Sequence, residues 1–511
     1  MNHLSLLDYI VIVCYFAIVL GVGFYFLKRQ KSTRDYFIAG KRIPGWAMGI
    51  ALIATLISNI TFLANPAAAF AGDLRQFTNS FMALAVMFPV ALILIPFYRN
   101  VVGMSLYEFF EKRFGYGIRV YGAITFILYY ISRLGIIFFS LALALNVMTG
   151  WNIYSILIGL GIITIIYTLT GGIEAVIWID VFQGILFIAG GILLLAIALF
   201  GAKAGAGEIL GAAWESGKFS LGEPGFSLQR DTVLVMLLYG FAQQSNNFGT
   251  DQTMVQRYLT AKTTRQAVRS ALISGIACVP VWGLFFIIGI ALWGYYTYSG
   301  VHLPAEVMDK PDRILPYFIM QQLPPGIIGL VLAALLSAAM STLSGGLNST
   351  STVFTNDIIK RIFPLSSDKK LLTTGRYTVL VTGSLSLIIA MWLVNRTGQI
   401  VEIYFTALSI FSGGILGLFL LGFICKKAST RGVGLGISVT LLMVAWASLT
   451  GKKVVDLGAL NYSLHPYLIG FFSHLTMFIS GFAGSIIFPD KKAAEKYINP
   501  FKLKNAAIKE S

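Results

Sequence analysis

Residues 49–72 read GIALIATLISNITFLANPAAAFAG, a segment that is apolar enough to enter a membrane but is interrupted in its middle. Ser58, Asn59 and Thr61 place polar side chains at its centre. Further on, Pro66 removes a backbone hydrogen-bond donor from the helix. Backbone that departs from a helix within a bilayer survives only where protein or a water-lined cavity satisfies its polar groups. The segment therefore predicts a broken helix that lines an internal site.

The composition places the rest of the chain in the membrane as well. Of its 511 residues 57% are hydrophobic and 12% are charged, about half the charged fraction of an ordinary soluble domain. A transmembrane helix needs about 20 apolar residues. The candidate segments are centred on residues 8–27, 45–70, 79–98, 122–148, 152–168, 176–201, 231–249, 270–297, 325–356, 375–394, 402–422, 430–449 and 466–487. The predicted fold class is an all-α polytopic membrane protein with 13 transmembrane helices.

A second interrupted segment lies at residues 233–252, VLVMLLYGFAQQSNNFGTDQ, where polar residues follow one another from 243 to 247. The two interrupted segments are the second and the seventh of the series. That spacing predicts two inverted repeats, spans two to six and seven to eleven, whose breaks meet near the middle of the membrane and form a binding site. Helix packing alone is the alternative explanation of both breaks.

This plan divides the chain into six parts. They are an extra N-terminal span with a basic cytoplasmic loop at 1–44, a first repeat at 45–201, an extracellular loop at 202–230, a second repeat at 231–422, two C-terminal spans at 423–487 and a basic cytoplasmic tail at 488–511.

The net charge of +16 does not indicate a nucleic-acid binder, because the basic residues cluster in alternate loops. If the loops are assigned to the two sides in turn, 28 of the 38 Lys and Arg residues fall on one side and 9 on the other. The positive-inside rule then predicts a multi-pass protein of the plasma membrane with its N-terminus outside and its C-terminus in the cytoplasm. The basic tail is either solvated or rests on anionic membrane lipid.

One basic residue, Arg133, lies outside these loops, near the centre of the fourth segment. An arginine at the middle of a bilayer costs about 2.5–3.5 kcal/mol on insertion scales, so it requires a partner or a wet cavity. Asp180 and Glu402 head other segments and could form an internal ion pair with it. Alternatively, its planar guanidinium captures an anionic solute. The residues alone leave both interpretations open.

The ninth segment contains the polar stretch AAMSTLSGGLNST at 338–350. The predicted repeat brings Ser341, Thr342 and Ser344 toward the break near residues 54–57. Unwound backbone leaves carbonyl oxygens without helical partners, and hydroxyls add the neutral oxygen ligands that a hard cation such as Na⁺ prefers. Helix packing is again the alternative, since small residues and hydroxyls commonly line helix contacts in membranes.

The remaining chemistry of the sequence is sparse. Its 3 cysteines and 4 histidines are scattered and form no metal-binding or nucleophile spacing. It has no GxxxxGK[ST] phosphate-binding loop. We therefore expect a protein that is not an enzyme, uses no organic cofactor, binds no nucleic acid and has no obligate protein partner.

Longer stretches of the sequence resemble the sodium:solute symporter family. They are YTLTGGIEAVIWIDVFQG at 167–184, GTDQTMVQRYLTAKT at 249–263 and SAAMSTLSGGLNSTSTVFTNDI at 337–358. The resemblance runs from the first to the eleventh span. It implies the fold of the bacterial leucine transporter, a 5+5 inverted repeat, with one extra N-terminal helix, and sodium-driven alternating access.

The resemblance also implies where Na⁺, the coupling ion, would bind. A main Na⁺ site would use backbone oxygens of Ala54, Ile57 and Ala338 with the hydroxyls of Ser341 and Thr342.

A possible second Na⁺ site would use Asp180, Ser344 and Gly345. Gly345 departs from the family pattern, because a serine there would supply a further oxygen. Asp180 could instead be a structural acid that organises Ser341 and Ser344, so the second ion stays open.

Within the family, the chain is most similar to bacterial sialic acid transporters. The similarity rests on DYFIAGKRIPGWAMGIA at 35–51, ISRLGII at 131–137 and GGIEAVIWID at 171–180. It assigns Arg133 to the carboxylate of the solute.

The other implied substrate-binding residues are polar side chains near the two breaks: Ser58, Thr61, Gln76, Ser80 and Gln244. Leu56 and Ser80 depart from the pattern, which has threonine and glutamine there, so the contacts to the rest of the sugar must differ. Gln76 and Asn79 could compensate from the same segment, and Gln244 could reach in from the broken seventh span.

The expected function is sodium-coupled symport of a small anionic solute, most similar to sialic acid (N-acetylneuraminate), by alternating access. The alternatives are sodium symport of another carboxylate, an amino acid or a neutral sugar. Sugar-carrying relatives tend to have an acidic residue near Ser80, and its absence here argues against a glucose-like hexose.

Overall fold

The structure is a computed structural model of the chain, and it describes residues 4–202, 204–395, 413–451 and 455–499. Those residues form helices and connecting loops, with no β-strand among them. The main helices are α1 (Leu6–Leu27), α2 (Gly45–Leu56), α3 (Asn59–Ala71), α4 (Arg75–Val101), α5 (Tyr107–Phe114), α6 (Tyr116–Thr149), α7 (Ile153–Phe200), α8 (Val233–Ser245), α9 (Gln252–Thr260), α10 (Thr264–Ser299), α11 (Ile327–Val353), α12 (Asp368–Leu393), α13 (Ile415–Ile424), α14 (Thr430–Gly451) and α15 (Leu468–Ile487). Shorter helices lie at Thr33–Ile38, Ala206–Glu215, Ala305–Met308, Ile314–Gln322 and Lys360–Ile362.

Within the described ranges, 9 helices are long and apolar enough to cross a membrane, and the bent pair α2–α3 raises this to 10. The polytopic all-α class predicted from the sequence is therefore confirmed. The predicted eleventh span falls largely on residues 396–412, which lie outside the described residues, as does Glu402.

The second predicted span is broken where the sequence placed its polar residues. Ile57 and Ser58 have extended backbone (φ −95°, ψ 130° and φ −131°, ψ 173°), and the axes of α2 and α3 differ by 54°. The Ser58 hydroxyl accepts a hydrogen bond from the Ile60 amide, and the Ser58 amide donates to Thr61 Oγ1, so α3 begins with its own side-chain cap. The break is thus built into the sequence.

The seventh predicted span is broken in a different way. Helix α8 runs into a π-helical turn at Asn246–Thr250, and extended backbone at Asp251 (φ −81°, ψ 120°) separates it from α9. π-helical turns are rare in proteins, and those that occur are often found at functional sites.

Helix α7 covers two predicted spans, 152–168 and 176–201. A straight helix of its 48 residues would be about 72 Å long, more than twice the hydrocarbon thickness of a membrane. It is kinked at Gly172, where φ is 59° and ψ is −168°. A Cβ atom there would lie 2.9 Å from the ring of Tyr36, so glycine is needed for both conformation and space.

Helix α11 is the centre of the packing. It is buried along almost its whole length and packs against α1, α6, α7 and α12, while α2 and α3 contact it at their break. The polar stretch 338–350 is therefore in the interior of the molecule, where its hydroxyls need protein partners or a ligand.

Candidate functional site

The hydroxyls of α11 meet the broken second span. Ser341 Oγ donates to the carbonyl of Ala54 at 3.0 Å, and Thr342 Oγ1 lies 3.2 Å from the carbonyl of Ile57. Both hydroxyls also contact the carbonyl of Ala338, at 3.2 and 3.3 Å. The structure thus brings together all the residues predicted for the main Na⁺ site.

A small, partly open pocket adjoins these oxygens. Its lining includes Ala54, Ile57, Ala338 and Ser341. The available ligands are three backbone carbonyls and two hydroxyls, which are neutral hard oxygens suited to a monovalent alkali ion. The donor set therefore fits Na⁺, once the two hydroxyl protons point away from the ion.

The residues predicted for a second Na⁺ site have protein partners. Asp180 Oδ2 lies 2.6 Å from Arg257 Nη2, and both side chains are 0% exposed. The Ser344 hydroxyl donates to the carbonyl of Ser341 in its own helix. A Cβ atom at Gly345 would lie 2.8 Å from Arg257 Nη2, so the glycine leaves the room that the guanidinium occupies. A protein cation therefore already stands beside Asp180.

Arg257 corrects the sequence analysis, which counted it among basic loop residues. It lies in α9, fully buried, and also donates from Nη1 to the carbonyl of Thr253. The TDQTMVQR stretch shows no hydropathy signal for this burial, because α9 is a short and largely polar helix.

Arg133 lies at the break of the seventh span. Its Nη1 is 3.6 Å from Asp251 Oδ2, and the guanidinium stands over the rings of Tyr129 and Tyr130, 5.8 and 5.4 Å from their centres. Sequence reasoning considered Asp180 as its acidic partner, but Asp180 pairs with Arg257 instead.

Asp251 was missed because the predicted span ended at residue 249. The signal was present, since an aspartate directly after an interruption is a preferred helix N-cap. Its Oδ1 accepts from the Thr253 amide at 2.7 Å and thereby caps α9.

Asn59 is a further residue that sequence reasoning did not single out as a contact. Its side-chain amide donates to the carbonyl of Ile137, at 3.2 Å, and to the Ser140 hydroxyl. These bonds hold the start of α3, with Ser58 and Thr61, against the turn of α6 that follows Arg133. The predicted binding of the solute by Ser58 and Thr61 stays a prediction.

Gln76 and Ser80 lie in the first turns of α4, which pack against α8. Gly240 of α8 lies so close to the backbone of Asn79 that a Cβ atom would clash. Gln244 follows one turn later and is 3% exposed, and its Oε1 has no hydrogen-bond partner in the described part of the chain. These contacts place Gln244 on the helix that faces α4, and its binding role stays a prediction.

An ion-pair cluster holds this end of α4. Arg75 contacts Asp73 at 2.8 Å and Asp231 at 3.7 Å, and His465 lies 2.7 Å from Asp231. The hydrogen bond from His465, with the nearby Arg75 charge, lowers the pKa of the Asp231 carboxyl. The cluster ties the segment that carries Gln76 to the start of α8.

The chain is similar in sequence to known sodium-coupled symporters. The family model of the sodium:solute symporter family matches residues 36–439. The sodium/sialic acid symporter NanT of Aliivibrio fischeri is 33% identical over 462 residues, 90% of each chain. The sodium/sialic acid symporter SiaT of Proteus mirabilis is 34% identical over 449 residues, 87% of this chain and 90% of that one.

A solved structure of a Na⁺-coupled sialic acid symporter is also similar to this chain. That structure is in a substrate-bound outward-open state and has a novel Na⁺ site. The two structures match with a TM-score of 0.86 at 32% identity, over 95% of this chain and 99% of that one. The resemblance noted from the sequence motifs is confirmed. The chain belongs to the sodium:solute symporter family.

Proposed function

We propose that this protein is a Na⁺-coupled symporter that imports a small carboxylated sugar of the sialic acid class, N-acetylneuraminate, by alternating access. The observation that carries the proposal is a buried guanidinium, Arg133, held at the break of the seventh span. The sialic acid symporters of Aliivibrio fischeri and Proteus mirabilis, which the chain resembles along most of its length, support this choice of solute.

Na⁺ is cargo in this cycle, and it binds where α2 breaks against α11. The carbonyls of Ala54, Ile57 and Ala338 and the hydroxyls of Ser341 and Thr342 provide the ligands. Because the ion joins two helices, it favours the conformation in which the solute pocket is complete. A coupling of about 1–3 kcal/mol between Na⁺ and solute raises solute affinity about 5- to 150-fold.

The solute carboxylate binds Arg133, and the polar groups of the sugar bind side chains near the two breaks. The proposed contacts are Ser58, Thr61, Gln76, Ser80 and Gln244. A guanidinium forms two parallel hydrogen bonds to a carboxylate, which fixes the orientation of the solute as well as its charge.

The proposed architecture is 13 transmembrane helices in a 5+5 inverted repeat behind one extra N-terminal helix. This number counts the nine long helices found in the described ranges, the bent pair α2–α3 and the additional span that the division of α7 at Gly172 creates. The broken seventh span and the predicted eleventh span complete it. In the proposed orientation the protein lies in the plasma membrane with its N-terminus outside and its C-terminus in the cytoplasm. The ion pairs around Arg75 then face the exterior.

Uptake into proteoliposomes tests the function. We expect N-acetylneuraminate uptake with a Na⁺ gradient but not with K⁺, and competition by N-acetylneuraminate but not by pyruvate, proline or galactose. Arg133→Gln should abolish uptake, whereas Arg230→Gln, at an exposed arginine, should not. Galactose binding without binding of any carboxylate would contradict the proposal, and competition by pyruvate or proline would favour the alternative carboxylate or amino-acid symporters.

A further inference from the structure

Asp251 joins the two helices that hold the proposed carboxylate site. Both of its carboxylate oxygens accept from the Tyr130 hydroxyl of α6, at 2.9 and 2.7 Å. The same side chain caps α9 through the Thr253 amide. Thr253 Oγ1 in turn donates to the Tyr130 hydroxyl at 2.8 Å. The carboxylate is thus fixed between α6 and the break of the seventh span.

This position makes Asp251 the counter-charge of Arg133. The pair is 3.6 Å apart, and the two residues are 8% and 5% exposed. Two buried charges of opposite sign stabilise each other, whereas removal of one leaves an uncompensated charge in a medium that solvates it poorly. A solute carboxylate at Arg133 would therefore meet a protein carboxylate that is already there.

Asp251 also lines a narrow cavity of about 20 Å³ together with Tyr129, Asn246 and Thr250, so the π-helical turn and α6 form opposite walls of one space. Because Asp251 Oδ2 lies 3.6 Å from Arg133 Nη1, a solute carboxylate that binds Arg133 does so in competition with Asp251.

We propose that Asp251 is an exchangeable counter-ion: it holds Arg133 in the solute-free carrier and yields it to the solute carboxylate on binding. The inference rests on the proposed function. The solute-free carrier then changes conformation with Arg133 neutralised, which avoids moving a bare buried charge. Solute binding also loosens the bond between α6 and the broken span, so it acts on the element that must rearrange.

Asp251→Asn tests the exchange, because asparagine is of equal size and its Oδ1 can still cap α9, while the second carboxylate oxygen and the negative charge are replaced by a neutral amide. We expect the Kd for N-acetylneuraminate to fall about tenfold, since the competing carboxylate is gone, and the Kd of its methyl ester to stay constant. Net uptake, which requires return of the empty carrier, should fall about tenfold or more, while exchange of external for internal solute persists.

Two variants serve as controls. Asp251→Glu keeps the charge and should keep the wild-type ratio of net uptake to exchange. Asp357→Asn removes an equally buried acid that pairs with Arg119, and should change both modes in the same proportion. Should Asp251→Asn fail to fold, Asp251→Ser supplies a second uncharged cap.

Parallel loss of exchange and net uptake in Asp251→Asn, or an unchanged Kd, would overturn the counter-ion role. Absence of N-acetylneuraminate exchange in the wild-type protein would instead overturn the proposed function. The two failures are therefore separate results of one set of measurements.

Discussion

Gly345 shows how a single missing methyl group determines what surrounds Asp180. We expect Gly345→Ala to push the Arg257 guanidinium away from Asp180, because the added carbon would lie 2.8 Å from Nη2. Overpacking of this kind costs about 1–3 kcal/mol, so the midpoint of thermal unfolding in detergent should fall. Gly434→Ala is the matched control, since nothing lies within 4 Å of a Cβ atom there and the variant should unfold at or above the wild-type temperature.

The hydroxyls of Ser341 and Thr342 are the only side-chain oxygens of the proposed Na⁺ site. We expect Ser341→Ala and Thr342→Ala each to raise the Na⁺ concentration for half-maximal uptake about 10- to 100-fold. Ser386→Ala is the control, because Ser386 is equally buried but, within the described part of the chain, its hydroxyl bonds only to the carbonyl of Thr382 in its own helix. A sodium dependence that both variants leave unchanged would remove these residues from the ion site.

The sequence alone could locate Ser341 and Thr342, because hydroxyls inside an apolar helix stand out by composition. Asp251 and Arg257 could not be placed in the same way. Each lies in a short polar stretch that hydropathy assigns to a loop, and only the course of the chain after the break carries α9 back into the core. Charge pairing between distant elements is therefore the part of the site that needed the structure.

At the scale of elements, the break between α2 and α3 is where ion binding should be visible in the backbone. The carbonyls of Ala54 and Ile57 face α11, and an ion that binds them ties the two helices together. We expect amide hydrogen exchange across residues 54–58 and 338–342 to slow in Na⁺ relative to K⁺, as local opening becomes less favourable. The pair α14–α15, which packs away from this site, supplies the reference. Equal slowing there would indicate a general salt effect.

The elements themselves were predictable to different degrees. Long apolar segments such as α6 and α10 follow directly from hydropathy, because a bilayer crossing requires about 20 apolar residues. The break at Ser58 was predictable from its polar residues. The π-helical turn at Asn246–Thr250 was not, because the run of polar residues there shows an interruption but does not specify its backbone conformation.

At the scale of the whole molecule, the buried charged residues near the site form ion pairs, and this pairing bears on how much net charge a transport cycle moves. Among the described residues, Arg133 is balanced by Asp251 and Arg257 by Asp180, so each buried guanidinium near the site has its own carboxylate. One Na⁺ and one monovalent carboxylate add no net charge to this arrangement. With Arg257 beside Asp180, we infer that one Na⁺ accompanies each solute.

That stoichiometry predicts electroneutral transport. A cycle that moved one net charge would gain about 2.3 kcal/mol per 100 mV, which is about 50-fold in solute accumulation. We therefore expect uptake of N-acetylneuraminate into proteoliposomes to change little when a potassium gradient with valinomycin makes the interior negative. The ratio of ²²Na⁺ to solute taken up in the same vesicles should be one. Strong stimulation by the negative potential, with a ratio of two, would mean that a second ion binds, and the residues around Asp180 would then have to release Arg257 to hold it.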